Sequence, residues 1–314
     1  MTTPADNRPL RVTQVAELPP EADRPAWLVE SLWARQAVGV LGGAPKCCKT
    51  YLALEIALAV ASGTPCLGHF PVPDPGPVLL FAAEDAPQQV HARLRGLAQA
   101  RGVDFAALPI FLILAEQLRL DLEHDQQRLA ETVEQHLPRL LILDPFVRLH
   151  RLDENSAREI SSLLAALRAL QRRHALAVLL VHHTRKNNGQ TSGQDLRGSG
   201  DLHAWGDSNL YLRKANDQLR LTVEHRAACA PEPIALTLTG DQPHLHVDAS
   251  PMAPRNADLG QQVLDVIGRH PDPLTQTQLR AILKVRNQSL TVSLRTLLDQ
   301  HKISHSNHGW VLNT

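Results

Sequence analysis

Gly43-Ala44-Pro45-Lys46-Cys47-Cys48-Lys49-Thr50 is the densest run of chemistry in the chain. It fits the phosphate-loop spacing G-x-x-x-x-G-K-[ST], with Cys48 where the second glycine belongs. Such a loop wraps backbone N–H groups around phosphate oxygens at a helix N-terminus. Lys49 would then reach the β and γ phosphates of a nucleotide such as ATP, and Thr50 would set its hydroxyl on Mg²⁺. All eight positions, 43 to 50, are therefore expected to line the nucleotide. The other reading is a glycine turn that happens to precede Lys-Thr. A side chain at Cys48 crowds a backbone position that glycine normally fills, which could weaken nucleotide binding or slow hydrolysis, but every other phosphate-loop position is present, so a working site is expected. The converging N–H groups and Lys49 are also expected to lower the pKa of the Cys47 and Cys48 thiols.

Three further sets of polar residues stop apolar runs. Glu84 and Asp85 end the run 78–83, Asp144 ends 139–143, and His182 and His183 end 177–181. A carboxylate at Asp144 can hold Mg²⁺, and one at Glu84 can act as general base on an attacking water. Asp85 would help hold the metal or a hydrogen-bond network. His183 could sense a γ-phosphate, and His182 reads equally well as a core histidine. Arg93 follows on the helix after the acids, either functional or part of a solvated face.

Elements that could position these residues alternate along the chain. Strands are expected at 37–41, 78–83, 110–113, 139–143 and 177–181, and helices at 50–62, 87–100 and 156–174. Continuously apolar strands separated by helices predict a mostly parallel sheet covered on both faces, with the ligand crevice at the strand C-terminal ends. The fold class expected is thus α/β. Polar, glycine-rich residues 186–200 read as a loop. Strands at 209–212, 218–225, 233–238 and 244–247 alternate and would extend the sheet antiparallel.

The domain boundaries expected are an N-terminal arm 1–24, a nucleotide-binding domain 25–250, a linker 251–256 and a small unit 257–314. In the last, helices at 259–268, 275–283 and 287–300 and short strands near 302–305 and 309–312 suggest a winged helix-turn-helix. Its third helix would offer Arg286, Asn287, Gln288, Thr291 and Arg295 to phosphates and base edges. The same arrangement also serves protein contacts, so a duplex or a replication partner remains open for this unit.

Composition excludes several classes. The 314 residues are 43% apolar and 20% charged, as in ordinary globular chains. Lys plus Arg (32) balances Asp plus Glu (32), so any nucleic-acid contact must be local rather than carried by a bulk positive field. The absence of a long apolar run argues against a membrane span, and four Cys in so long a chain suggest reduced thiols and a cytoplasmic protein.

The runs FAAEDAPQQVHARL, LLILDPFVRLHRLDENSA, VLLVHHTRK and QDLRGSG, taken in order, resemble RepA-type hexameric replicative helicases of plasmids, which are RecA/DnaB-like ATPases. The resemblance covers roughly residues 25–240. It implies a RecA-like P-loop core in which Lys49 and Thr50 bind ATP and Mg²⁺. By the same resemblance Glu84 is the catalytic base, Asp144 the Walker B acid and His183 the γ-phosphate sensor. It implies a homo-oligomeric ring, a hexamer in the family, whose sites are completed by a neighbour's arginine, with Arg226 the leading candidate and Arg197 the runner-up. The loop after the histidines would face single-stranded DNA through Arg185, Lys186 and Arg197. A RecA-like regulator or loader without unwinding, and an assembly protein that binds nucleotide without turnover, are the competing readings.

Overall fold

The computed structural model describes residues 12–17, 26–153, 156–183, 201–215, 218–240, 243–248, 255–270, 272–283, 287–300, 302–306 and 309–313. The chain divides into two compact units, Met1–Val247 and Asp248–Thr314.

The first unit is built on strands β1 (Trp27–Val29) and β2 (Trp33–Ala34), a short antiparallel pair, and then β3 (Val38–Gly43), helix α1 (Lys49–Ser62), β4 (Val78–Ala82), α2 (Pro87–Arg101), β5 (Ile110–Leu112), α3 (Glu123–His136), β6 (Leu140–Asp144), α4 (Ala157–His174), β7 (Ala177–His183), α5 (Asp201–Trp205), β8 (Ser208–Ala215), β9 (Gln218–His225), β10 (Ile234–Thr239) and β11 (His244–Val247). Among the described residues, nine strands make one sheet in the order β11-β10-β9-β8-β3-β7-β6-β4-β5. From β8 to β5 every neighbour is parallel, and from β8 to β11 every neighbour is antiparallel.

Alternation along the strands divides the core. Val78 and Leu80, Leu140 and Ile142, and Leu179 and Val181 belong to one cluster with α1 and α2. Leu79 and Phe81, Leu141 and Leu143, and Val178 and Leu180 belong to the cluster on the other face with α3 and α4. The period of two in a pleated strand sends successive side chains to opposite layers, so continuously apolar strands need helices on both sides. Helix α1 is buried on nearly all its faces, from Leu52 through Val60. Such a helix carries almost no polar face, as expected of one in the middle of a core. Its C-terminus is closed by Gly63 at φ 72°, whose N–H donates to the Ala59 carbonyl.

Several details differ from the pattern-based expectation. Strand β3 runs through Gly42 and Gly43 instead of stopping before them. It can do so because a Cβ at Gly43 would come within 2.4 Å of the Leu212 carbonyl oxygen and 2.6 Å of Cys47 Sγ, so only glycine fits. Helix α3 and the β1–β2 pair were not foreseen. Of the residues in α3 only Asp125, Leu129 and Val133 are buried, too narrow a stripe to stand out in a charged sequence.

The second unit holds α6 (Arg255–Arg269), α7 (Gln276–Leu283), α8 (Asn287–Asp299) and the antiparallel pair β12 (Ile303–Ser306) and β13 (Gly309–Leu312). Leu259, Val263, Ile267, Leu279, Leu290, Leu294, Leu297 and Ile303 form its own core. Helix α7 starts with a reciprocal cap: Thr275 Oγ1 accepts from the Gln278 N–H at 3.3 Å, and Gln278 Oε1 accepts from the Thr275 N–H at 2.8 Å. Helix α6 begins at Arg255, inside the stretch 251–256 expected as linker; residues 251–254 lie outside the described residues.

Candidate functional site

The strand order brings the chemistry to one end of the parallel strands. Gly43 at the end of β3 is the register partner of His183 on β7, and Asp144 on β6 is the partner of Ala82 on β4. Glu84 and Asp85 follow two and three residues after Ala82. The C-terminal ends of four neighbouring parallel strands thus present the phosphate loop, His183, Asp144 and the acid pair side by side. This is the crevice position for ligands in open α/β sheets.

The loop itself has the backbone that a phosphate requires. Lys46 (φ 62°) and Cys48 (φ 66°) are left-handed, with Cys47 between them in the ordinary region. This alternation is the conformation in which successive N–H groups converge on an anion. Cys48 thus adopts the glycine-like geometry despite its side chain. Ala44, Pro45 and Lys46 are exposed, Cys47 and Lys49 are buried, and Cys48 and Thr50 are intermediate.

Lys49 folds back over the loop. Its Nζ donates to the Ala44 carbonyl at 2.8 Å and lies 3.2 Å from His183 Nδ1. Burial pushes its ammonium below the ordinary lysine pKa, opposed by the nearby Cys47, Asp144 and Glu84. Thr50 Oγ1 donates to Asp144 Oδ2 at 2.8 Å. Asp144 is only 8% exposed, and its carboxyl is raised to about 6, mainly by burial. The Thr50 hydrogen bond and Lys49 hold it down, while the charges of Asp85 and Glu84 push it up. A buried carboxylate on a hydroxyl, crowded by two further acids, is a donor set that suits a hard divalent cation such as Mg²⁺. Thr50, Asp144, Lys49, His183, Glu84 and Asp85 line one cavity of about 340 Å³, together with Lys46, Cys47, Cys48, Tyr51, Ala82 and Arg93.

The two acids after β4 have separate partners. Asp85 is ion-paired to Arg93 of α2, and both are largely covered, at 21% and 28% exposure. The Arg93 guanidinium also lies over the Tyr51 ring, 5.3 Å from its centroid. This fixed pairing fits the hydrogen-bond alternative for Asp85 better than direct metal ligation. Glu84 Oε1 instead accepts from Arg148 Nε at 2.9 Å. Tyr51 and Arg148 were not anticipated from sequence. Tyr51 follows the motif directly, whereas nothing local marks Arg148, 64 residues from its partner.

Other expectations fared differently. His182 shares its strand face with Val178 and Leu180, is buried, and meets the Phe146 ring edge-on at 5.8 Å. The core reading of His182 therefore describes it, while strand alternation turns His183 to the α1 face. The thiols are corrected: both the Cys47 and the Cys48 pKa are raised, because burial outweighs Lys49. Arg226 is not part of this cavity. Its N–H bonds the Asp207 carbonyl, and its Nη1 lies 3.4 Å from Asp207 Oδ1, beside the start of β8. That is the opposite, N-terminal end of the parallel strands, about 20 Å from the loop at ~3.3 Å per strand residue. Arg185, Lys186, Arg197 and Arg286 lie outside the described residues. Gln288 is in α8, of whose side chain nothing is described, and Arg295 is exposed on the same helix.

A P-loop on a mostly parallel sheet with acids and a histidine at adjacent strand ends defines a RecA-like P-loop NTPase fold. A family profile described as an AAA domain matches residues 4–189, and the chain belongs to that family. Among solved structures, a RadB recombinase is similar with a TM-score of 0.50 and 18% identity, covering 68% of this chain and 90% of that one. A DnaB-like replicative helicase, described with its interactions with primase, is similar with a TM-score of 0.54 and 14% identity, covering 68% of this chain and 57% of that one. Both likenesses concern the fold. Among the described residues, no helix is long and apolar enough to cross a membrane.

Proposed function

We propose that this chain is an ATP-hydrolysing, ring-forming DNA motor of the cytoplasm, a replicative helicase of a plasmid or other mobile element. The observation that carries the ATPase reading is the meeting of Lys49 and Thr50 with His183 and Asp144, with Glu84 at the cavity rim. Lys49 and the loop N–H groups hold the phosphates, and His183 reports on the terminal one through its contact with Lys49. Thr50 and Asp144 would hold Mg²⁺, which would neutralise charge developing on the phosphates. Glu84 accepts the proton of the attacking water. Arg226, at the opposite end of the strands and half exposed, serves the site of a neighbouring copy in a hexameric ring.

The DNA part of the proposal is supported by the motif order of the sequence and by the similarity to a helicase and a recombinase. Single-stranded DNA would meet Arg185, Lys186 and Arg197. The second unit, with three helices and a hairpin, would act as a winged helix-turn-helix, contacting duplex DNA or a replication partner through Arg286, Gln288 and Arg295. The RadB likeness favours one second reading, a RecA-like ATP-dependent DNA-binding regulator or loader without unwinding activity.

The test combines ATPase and unwinding assays, with and without single-stranded DNA, with mass measurement in a non-hydrolysable nucleotide. The motor reading expects strand-stimulated turnover, strand displacement and a ring-sized particle. Lys49→Ala should abolish turnover, and Glu84→Gln should bind nucleotide yet hydrolyse it about 10²- to 10⁴-fold more slowly. Stimulated turnover without strand displacement would favour the regulator, and no turnover at all would remove both.

A further inference from the structure

Two adjacent carboxylates at the end of β4 each carry an arginine, and the two arrangements are unlike. Asp85 and Arg93 are mostly covered, and Arg93 is braced on Tyr51. Glu84 and Arg148 are open to solvent, with 48% and 63% of their side chains exposed. Arg148 is offered to Glu84 by a rigid support. It ends a single 3-10 turn, Phe146–Arg148, directly after Asp144-Pro145, and the flanking Phe146 and Leu149 are fully buried. The Ala83 N–H donates to the Asp144 carbonyl at 2.8 Å, which ties the chain just before Glu84 to the same strand end. Both backbones are thus held while both side chains, paired with each other at 2.9 Å, lie open to solvent.

From this geometry we infer that Arg148 is a positioning residue that parks Glu84, holding the carboxylate on a guanidinium until the pair opens and frees it to take a proton from water. The inference rests on the reading of Glu84 as general base. Oε1 has its charge and a lone pair committed to Arg148 Nε at 2.9 Å. Before that oxygen can accept from water, the contact must open or the other oxygen must turn inward. Solvent-exposed pairs of this kind are weak, so the restraint is small and readily released. A buried pair would lock the base; the exposed one only biases it. The contrast with Asp85 supports this division: the acid that stays put is the covered one, and the acid that must move is the open one.

The experiment measures DNA-free steady-state ATPase of the full chain for wild type, Arg148→Ala, Arg148→Lys, Glu84→Gln and the double variant Glu84→Gln/Arg148→Ala, with particle mass checked for each. Arg148→Ala should raise kcat about two- to five-fold, equivalent to ~0.4 to 1 kcal/mol, with the KM for Mg-ATP unchanged. Arg148→Lys should reverse most of that rise, because an ammonium can still pair with the carboxylate. In the Glu84→Gln background, Arg148→Ala should change nothing, since no charge remains to be parked. A structural role for Arg148 would instead lower kcat, shift KM or alter the particle mass. If Glu84→Gln collapses turnover while Arg148→Ala leaves kcat unchanged or lower, the parking inference is wrong and the base assignment stands. If Glu84→Gln turns over normally, the base assignment itself is wrong, and the inference goes with it.

Discussion

Asp144→Asn should make the nucleotide-free protein more stable while disabling it. In the folded chain the Asp144 carboxyl is raised from 3.8 to about 6, chiefly because burial penalises the charged form. The folded state therefore binds this proton more tightly than the unfolded chain does. Stability is lost as pH rises from ~4 to ~6, and the whole loss is present above the folded pKa. At ~1.4 kcal/mol for each tenfold change in proton affinity, the raised pKa corresponds to about 3 kcal/mol at neutral pH. Asparagine carries no charge, and its amide oxygen can still accept from Thr50 Oγ1. Urea unfolding without nucleotide or divalent ions should show Asp144→Asn more stable than wild type by up to about 3 kcal/mol at pH 7.5, with the difference closing near pH 4. In Mg-ATP the order should reverse functionally, with turnover lower by ~10²-fold or more, since on the proposed function a charge that would hold the cation is gone. An Asp144→Asn protein no more stable than wild type at pH 7.5, with no narrowing of the difference towards pH 4, would refute the claim that a strained buried charge sits at this strand end.

The other predictions concern the frame around the site. Glu55 is buried, pairs with Arg101 and accepts from the Leu67 N–H at 2.9 Å, so Glu55→Ala should cost ~3 to 5 kcal/mol by leaving a covered guanidinium without its counter-charge, its bonds to Thr64 Oγ1 and the Pro65 carbonyl being neutral ones; calorimetry that finds less than ~1 kcal/mol lost would sink this. Iodoacetamide at neutral pH, followed by mass spectrometry, should label exposed Cys229 first and Cys48 more slowly. Cys47 and Cys66, the latter pushed up to about 12 by burial, should react only on unfolding; early loss of Cys47 would contradict its placement. Cys48→Gly should raise stability by ~0.5 to 1 kcal/mol, because the left-handed backbone at φ 66° costs a side chain ~1 to 2 kcal/mol and glycine returns part of that as unfolded-chain entropy. A thermal melt showing clear destabilisation would mean that the thiol packs more tightly than its partial exposure implies.

Much of the candidate site was legible in the sequence because its signals are local. A phosphate loop is eight consecutive residues between a strand and a helix, and Glu84, Asp144 and His183 each announce themselves by stopping an apolar run. The continuous apolarity of β4, β6 and β7 required two covered faces, and the two core clusters supply them. Helix α3 was invisible because three buried positions do not rise above a charged background.

What the sequence by itself determined is therefore the strands and helices that carry the site, the loop and the residues at the strand ends, each marked by a local run of neighbours, but not α3 or the β1–β2 pair. Only the tertiary structure decided who meets whom. The order β3-β7-β6-β4 sets His183 and Asp144 between the loop and Glu84, and no local pattern encodes that order. Strand parity sends His183 to Lys49 and His182 to Phe146, although the two histidines are adjacent in the chain. The thiol expectation reversed for the same reason. Proximity to Lys49 is readable from two residues of sequence, but desolvation depends on every element packed over the loop, and here it is the larger effect. Arg148 reaches Glu84 across 64 residues of chain, because pairing strength follows distance in space, and the fold alone sets that distance.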